Sequence, residues 1–153
     1  MINCMVTDRH NTLWVGSQKG LFYFDSQKEI LVPFIDSLAW INSMQYDKSG
    51  QLWFISAVML CRYNFETRKL TKFPAPNYFP ATSLCSTANG DMWVSDANGF
   101  LHKFDSSGKN FSSFTLFDHS PSSINNWIQK IYPGNNNNIY VGTSSQGLKS
   151  FDI

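Results

Sequence analysis

The sequence has little of what metal sites, disulfide scaffolds and polyanion-binding surfaces require. Its three cysteines, Cys4, Cys61 and Cys85, are odd in number and show no C-x-x-C spacing, so they indicate neither a disulfide framework nor a zinc site. Charged residues make up only 15% of the chain, and 12 basic and 11 acidic residues leave a net charge of +1. This balance gives no field that would attract nucleic acid or an anionic membrane surface.

Long apolar runs and catalytic motifs are also missing from the sequence. No stretch reaches the ~18–20 apolar residues of a membrane-spanning helix, and the N-terminal residues MINCMVTDRHNT lack the sections of a secretory signal. The three histidines, His10, His102 and His119, stand in unrelated contexts, and no H-E-x-x-H or G-x-S-x-G motif is present. The sequence therefore predicts no enzyme, no metal, no cofactor and no membrane contact by this segment.

Aromatic residues, by contrast, make up 16% of the chain, and most of them recur. Four segments align: DRHNTLWVGSQKGLFYFD, DKSGQLWFISAVMLCRYN, TANGDMWVSDANGFLHKFD and GNNNNIYVGTSSQGLKSFD. Each copy carries an anchor ring: Trp14, Trp53, Trp93 and Tyr140. Each also carries a ring that ends the following strand: Phe24, Tyr63, Phe104 and Phe151. Recurrence at a period of about 40 residues indicates a repeat architecture.

Each copy has the pattern of short strands joined by tight turns. The hinge of the first hairpin holds a residue that tolerates positive φ: Asn11, Gly50, Gly90 and Asn137. A fourth strand is marked by a further ring: Phe34, Phe73 and Phe114. Four antiparallel strands per ~40–45 residues are the signature of a β-propeller blade. We therefore expect an all-β chain of four-stranded blades without a substantial helix.

The repeat boundaries predict how many blades the chain contains. We expect blades at about 1–35, 40–74 and 80–115 and an incomplete fourth blade at about 127–153. The last copy lacks its fourth strand, and the first copy begins directly with its first strand, at Ile2. The expected fold is an open partial propeller of about four repeats, with apolar faces exposed at both ends, that forms part of a larger propeller.

With these residues in view, the repeat resembles the two-component regulator propeller repeat. The segments LWVGSQKGLFYFD and IYVGTSSQGLKSFD match its pattern, and SPSSINNWIQKIY is similar to the segment that opens many such repeats. That family's repeats typically build periplasmic sensor regions of hybrid two-component systems in Bacteroidetes, which are associated with recognising glycan breakdown products. The resemblance implies a periplasmic, non-catalytic sensor segment. Its implied partners are the remaining blades of a larger sensor chain and an oligosaccharide.

Two tryptophans outside the repeated columns are the candidate ligand-binding rings. Trp40 and Trp127 directly precede the first strands of blades 2 and 4, where blade 3 has Pro80. In propellers this position lies on the face around the central channel, where ligands commonly bind. A ring there can stack on a sugar face while Asn125 and Asn126 supply hydrogen bonds. The alternative is that both rings pack against the loop of the adjacent blade.

Two other functions stay open. A propeller lyase or hydrolase of the streptogramin-lyase kind would need a histidine and a glutamate that converge on the channel. The two glutamates, Glu29 and Glu66, lie near the turn into the fourth strand, which argues against this function. A protein-interaction propeller would dock another chain on its edges and rim loops, and exposed blade faces would also permit self-association.

Overall fold

The strands of the chain form four antiparallel sheets, named A to D in chain order. The computed structural model describes residues 1–35, 37–73, 80–104, 111–117, 126–135 and 137–153. Sheet A contains β1 (Ile2–Thr7), β2 (Leu13–Ser17), β3 (Gly20–Asp25) and β4 (Ile30–Ile35). Sheet B contains β5 (Ile41–Tyr46), β6 (Gln51–Ser56), β7 (Met59–Asn64) and β8 (Lys69–Phe73). Sheet C contains β9 (Ala81–Ser86), β10 (Met92–Asp96), β11 (Phe100–Phe104) and β12 (Phe111–Thr115). Sheet D contains β13 (Ile128–Pro133), β14 (Asn138–Thr143) and β15 (Leu148–Asp152).

Strands that follow each other in the chain are neighbours in every sheet, which is the topology of a propeller blade. Sheets A, B and C have four strands and sheet D has three. Within the described ranges no α-helix occurs. The fold class expected from the sequence is therefore confirmed. The described part of the chain contains no helix that is long and apolar enough to cross a membrane.

The first hairpin of each blade turns at the residue that the sequence indicated. All four hinge residues have a positive φ: Asn11 (62°), Gly50 (78°), Gly90 (95°) and Asn137 (56°). Asparagine and glycine reach this left-handed region at little steric cost. The hinge predictions are confirmed in every copy.

An aspartate at the start of the first hairpin holds the anchor ring in blades 1 and 2. The indole N–H of Trp14 donates to Asp8 Oδ2 at 3.0 Å, and that of Trp53 donates to Asp47 Oδ2 at 2.7 Å. The second oxygen of each carboxylate accepts a backbone N–H four residues further on, at 2.9 Å from Thr12 and 2.8 Å from Gln51. One side chain thus ties the turn to the ring.

The Asp8 carboxylate is more acidic than an ordinary aspartate because of these bonds. Burial raises its pKa, but the hydrogen bonds from the indole of Trp14 and from the backbone of Thr12 and His10 outweigh that effect. The net result is a pKa of Asp8 below its usual value.

Blade 3 lacks this carboxylate. Thr87 stands six residues before Trp93, where blades 1 and 2 have aspartate. Its hydroxyl bonds to Asn89 and Asp91 instead. Trp93 is 1% exposed, and its indole nitrogen is buried without a hydrogen-bond partner among the described residues. In blade 4 both partners are replaced, by Gly134 and Tyr140.

The chain divides into two compact units, Met1–Pro74 and Ala75–Ile153, which are described separately. The core of the first unit lies between sheets A and B. Its buried members are Trp14, Leu21, Leu38, Ile41, Met44, Leu52, Phe54 and Cys61. The Phe34 ring lies 4.6 Å from the Trp14 ring and 4.9 Å from the Tyr63 ring, edge to face. Aromatic packing therefore joins the two sheets.

The core of the second unit lies between sheets C and D. Its buried members are Cys85, Trp93, Leu101, Phe117, Ile128, Ile131, Ile139 and Val141. The Trp93 ring lies 5.7 Å from the Phe151 ring. Not every repeated ring is buried: Tyr140 is 42% and Phe24 is 36% exposed, because each lies on the face of its sheet turned away from the core of its unit.

Candidate functional site

The residue that precedes the first strand, here called the leading residue, has the same backbone bond in all four blades. Its carbonyl oxygen accepts the N–H of a residue in the second hairpin turn of its own blade. The bonds are Gln18 to Met1 (3.3 Å), Ala57 to Trp40 (2.9 Å), Ala97 to Pro80 (3.0 Å) and Ser144 to Trp127 (2.9 Å). The equivalence of Trp40, Pro80 and Trp127, expected from the sequence, is thus seen in the structure.

Trp40 has a fixed backbone and an exposed ring. Its φ is 54°, an unusual value for a bulky residue, and its N–H donates to Gln18 O at 3.1 Å. The preceding carbonyl, of Ala39, accepts the Ser56 hydroxyl at 2.8 Å. The Trp40 side chain is 55% exposed and, among the described residues, makes no hydrogen bond or ring contact. An exposed ring on a strained, well-bonded backbone is a reason to consider a functional role.

The turn that holds Trp40 carries strain of its own. Ala57 takes a φ of 56° in a two-residue connection between Ser56 and Met59. Its carbonyl accepts the side-chain N–H of Asn42 at 3.0 Å. The other blades have a glycine in their second hairpin, whereas blade 2 has none and places an alanine in the left-handed region.

Trp127 is the corresponding ring of the second unit and is 46% exposed. The residue before it, Asn126, is 4% exposed, and its Oδ1 is buried without a partner among the described residues. A Cβ added at Gly99 would lie 2.6 Å from the Phe117 ring and 3.0 Å from the Asn126 carbonyl oxygen, so the two segments are in close contact. Asn126 is therefore held inside the unit. Asn125, the other amide suggested by the sequence, lies outside the described residues.

The described glutamates and cysteines offer little chemistry. The described residues contain no group of three or more His, Cys, Asp or Glu side chains placed to hold a metal ion. Glu29 and Glu66 are exposed in the turns before β4 and β8, where the sequence placed them. Burial raises the pKa of the Cys61 thiol to about 11 and that of Cys85 to about 12, as expected of inert apolar cysteines.

The histidines do not converge. His10 lies in the first hairpin, His102 is buried and hydrogen-bonded on β11, and His119 falls outside the described residues. The sequence predicted no role for His102 and did not indicate its partners, which are Asp96 and Ser113. The repeat did contain a signal for this network, because the positions that match Asp96, His102 and Ser113 hold other residue types in the other blades.

Comparisons with known proteins identify the fold. The structure matches the extracellular domain of BT4673 from B. thetaiotaomicron, described as a one-component system, with a TM-score of 0.78 and 22% identity. It also matches the extracellular domain of BT3049 from the same organism, described as a hybrid two-component system, with a TM-score of 0.77 and 20% identity. The chain has the blade fold of these domains. The resemblance to the two-component regulator propeller is thus confirmed at the level of the fold.

Each match covers a much larger share of this chain than of the matched chain. They cover 98% and 99% of this chain but only 21% of each of those chains. A further match is virginiamycin B lyase from Staphylococcus aureus, with a TM-score of 0.69, 17% identity, and coverage of 99% of this chain and 55% of that one. No family profile and no curated protein sequence matches the chain.

Proposed function

We propose that this chain is a non-catalytic segment of the ligand-sensing region of a two-component signalling receptor. The observation that carries the proposal is the blade-by-blade likeness to two extracellular sensor domains, with TM-scores of 0.78 and 0.77. Because the chain spans about a fifth of each, the function of the whole protein is inferred and not observed. The same likeness supports an extracytoplasmic location, and we propose that this location is the periplasm.

The proposed protein partners are further blades of a larger sensor chain. The outer face of sheet A exposes Met5 (61%) and Leu31 (42%), and that of sheet D exposes Tyr132 (68%) and Leu148 (73%). The leucines that match Leu148 in the other blades, Leu21, Leu60 and Leu101, are at most 1% exposed. Apolar sheet faces of this kind are normally covered by another blade, and uncovered they favour self-association or binding of another protein.

The proposed ligand is an oligosaccharide that stacks on Trp40 or Trp127. A tryptophan offers a broad apolar face that matches the C–H face of a sugar ring. Both rings are exposed, while their backbones are fixed by hydrogen bonds, so binding would order little of the protein. Asn125 and Asn126 complete the proposed site, although the buried amide of Asn126 would have to reach the ligand by a change of conformation.

The proposal is tested by screening the chain against an oligosaccharide array and then measuring Kd by calorimetry with a sugar that binds. We expect Trp40→Ala or Trp127→Ala to weaken binding by about fivefold or more, since a lost stacking contact is worth about 1 kcal/mol. Tyr132→Ala, which removes an exposed ring from the outer face of sheet D, is the matched control. An unchanged Kd in the double tryptophan variant would reject the site. Failure of every sugar to bind would reject the ligand class.

A lyase is the second candidate, because the blades also match virginiamycin B lyase. That function would need a histidine and a glutamate brought together, whereas Glu29 and Glu66 occupy exposed turns at the start of the fourth strands. Linearisation of a cyclic streptogramin by the purified chain, followed by mass spectrometry, would favour the lyase over the sensor.

A further inference from the structure

Three polar side chains on sheet C form a continuous hydrogen-bonded chain. His102 Nε2 lies 3.1 Å from Asp96 Oδ2, and His102 Nδ1 lies 2.8 Å from Ser113 Oγ. Asp96 and His102 are buried, at 1% and 5% exposure, whereas Ser113 is exposed. A carboxylate, an imidazole and a surface hydroxyl are thus connected in that order, as a general-base-activated nucleophile requires.

The sheet places the imidazole against the hydroxyl. His102 on β11 and Ser113 on β12 are directly opposite each other. The backbone bond from Leu116 N to Gly99 O shows that Gly99 and Leu116 form a hydrogen-bonded pair. Hydrogen-bonded and non-hydrogen-bonded pairs alternate along an antiparallel ladder, so His102 and Ser113, three pairs further on, form a non-hydrogen-bonded pair. Side chains approach most closely in such pairs, and the Ser113 N–H points away from β11. Because β12 is the last strand of sheet C, this N–H takes no part in the hydrogen-bond ladder of the sheet.

The carboxylate is fixed in orientation and sets the tautomer of the ring. Asp96 Oδ1 accepts the backbone N–H groups of Asn98 at 2.9 Å and Phe100 at 2.8 Å, which leaves Oδ2 directed at His102. A carboxylate only accepts hydrogen bonds, so Nε2 carries the ring proton. In the neutral ring Nδ1 is then the acceptor for the Ser113 hydroxyl.

The internal repeat shows that a blade does not need these residues. The column of Asp96 holds Ser17, Ser56 and Thr143 in the other blades. The column of His102 holds Phe22, Cys61 and Lys149. The column of Ser113 holds Pro33 and Lys72. The other three sheets form without the network, so all three residues are special to blade 3.

We propose that Ser113 is a nucleophile toward esters with a small apolar or aromatic acyl group, with His102 as general base and Asp96 as a positioning residue. The Ser113 oxygen bonds to the carbonyl carbon while its proton passes to His102 Nδ1. The ester C–O bond then breaks, and the alcohol leaves with that proton. Water releases the acyl group by the same route. The Phe100 ring, 40% exposed and stacked on His102, provides an apolar wall for the acyl group. This reactivity does not rest on the proposed sensor role, in which ligand binding involves no catalysis, and it would be a second activity confined to blade 3.

The first test is labelling with an alkyl fluorophosphonate, located by mass spectrometry. The Ser113 oxygen bonds to phosphorus, fluoride leaves, and the proton passes to His102. We expect labelling at Ser113, none in Ser113→Ala, and an unchanged rate in Ser112→Ala, because the exposed neighbour Ser112 lies on the other face of β12. General-base assistance contributes about 10²–10⁴-fold, so His102→Gln should slow labelling at least about tenfold. Labelling of Ser113→Ala at the wild-type rate would overturn the proposal.

The second test isolates the role of Asp96. In Asp96→Asn the introduced carbonyl can still accept the turn N–H groups, but the amide N–H donates to Nε2 and moves the ring proton to Nδ1. That nitrogen can no longer accept the serine proton, so labelling should fall as far as in His102→Gln. ¹⁵N NMR of the histidine reports the tautomer, and thermal unfolding reports stability. A wild-type labelling rate with the tautomer reversed would contradict the assigned base. The surface pair Ser113→Ala and Ser112→Ala decides the proposal if Asp96→Asn does not fold.

Discussion

Replacing Thr87 with aspartate should stabilise blade 3 by giving the buried Trp93 indole an acceptor. In blades 1 and 2 the aspartate six residues before the tryptophan lies 3.0 and 2.7 Å from the indole nitrogen. The first hairpin of blade 3 has the same hinge, with a positive φ at Gly90 and a bond from its N–H to Thr87 O at 3.0 Å. An aspartate at this position should therefore find the same geometry.

The expected gain in the free energy of unfolding follows from the hydrogen bond that forms and the interactions that are lost. A hydrogen bond to a charged acceptor contributes about 1.5–3 kcal/mol, and a buried N–H without a partner costs about 1–3 kcal/mol. Against this, the bonds from the Thr87 hydroxyl to Asn89 and, at 3.3 Å, to the Asp91 carbonyl are lost. The new charge also lies near Asp91, which pairs with Lys103 at 2.8 Å. We expect a net gain of about 1–2 kcal/mol in the free energy of unfolding.

Urea denaturation followed by tryptophan fluorescence measures this gain, and the Trp93 indole N–H signal in NMR shows whether the bond forms. Thr87→Val, which has no acceptor, should give no gain, and Asp47→Thr should cost blade 2 about as much as Thr87→Asp gains. A free energy of unfolding for Thr87→Asp equal to or below that of the wild type would refute the argument that the carboxylate–indole bond stabilises the blade.

Two further predictions concern the second hairpins of blades 2 and 3 and the first hairpin of blade 1. Ala57→Gly should raise the free energy of unfolding by about 0.5–1 kcal/mol, because it relieves a left-handed alanine. Ala97→Gly, at the same turn position without a positive φ, should lower the free energy of unfolding. Urea denaturation should give changes of opposite sign for the two variants, and equal changes would count against the prediction. The lowered pKa of Asp8 means that its contribution to stability is present above the unfolded-state pKa and is lost as the pH falls through the folded-state value. Below about pH 4 the wild type should therefore lose stability more steeply than Asp8→Asn, and parallel slopes in acid denaturation would show that Asp8 contributes nothing.

Much of the fold could be predicted because blade formation depends on local pattern. A positive φ at Asn11 or Gly50 is a property of the residue and its turn, and repetition over four copies made the strand positions secure. An Asp or Asn directly after the strand-ending ring is typical of a turn. Asp25 forms such a turn, since its Oδ1 accepts the N–H groups of Gln27 and Lys28. Asn64 likewise accepts the N–H of Thr67, and the matching Asp105 lies outside the described residues.

The site could be predicted only in part, because it depends on directions that a one-dimensional pattern does not contain. The position of Trp40 follows from the repeat, but its positive φ and its bond to Gln18 do not. The burial of Asn126 depends on how closely Gly99 lets two segments approach. The contact of His102 with Ser113 depends on the register of β11 and β12, because the register decides which cross-strand pairs are hydrogen-bonded. A shift of the register by one residue would exchange hydrogen-bonded and non-hydrogen-bonded pairs.

The backbone bond at the leading position also affects how freely this surface can change. The second hairpin turn donates its N–H to the main-chain carbonyl of the leading residue, and methionine, tryptophan and proline all provide this carbonyl. The side chain at that position can therefore be exchanged without loss of the bond that holds the strand in place. The identity of the exposed side chain and the stability of the strand are separated at this point of the blade, so a set of blades can vary this surface while each blade keeps its fold.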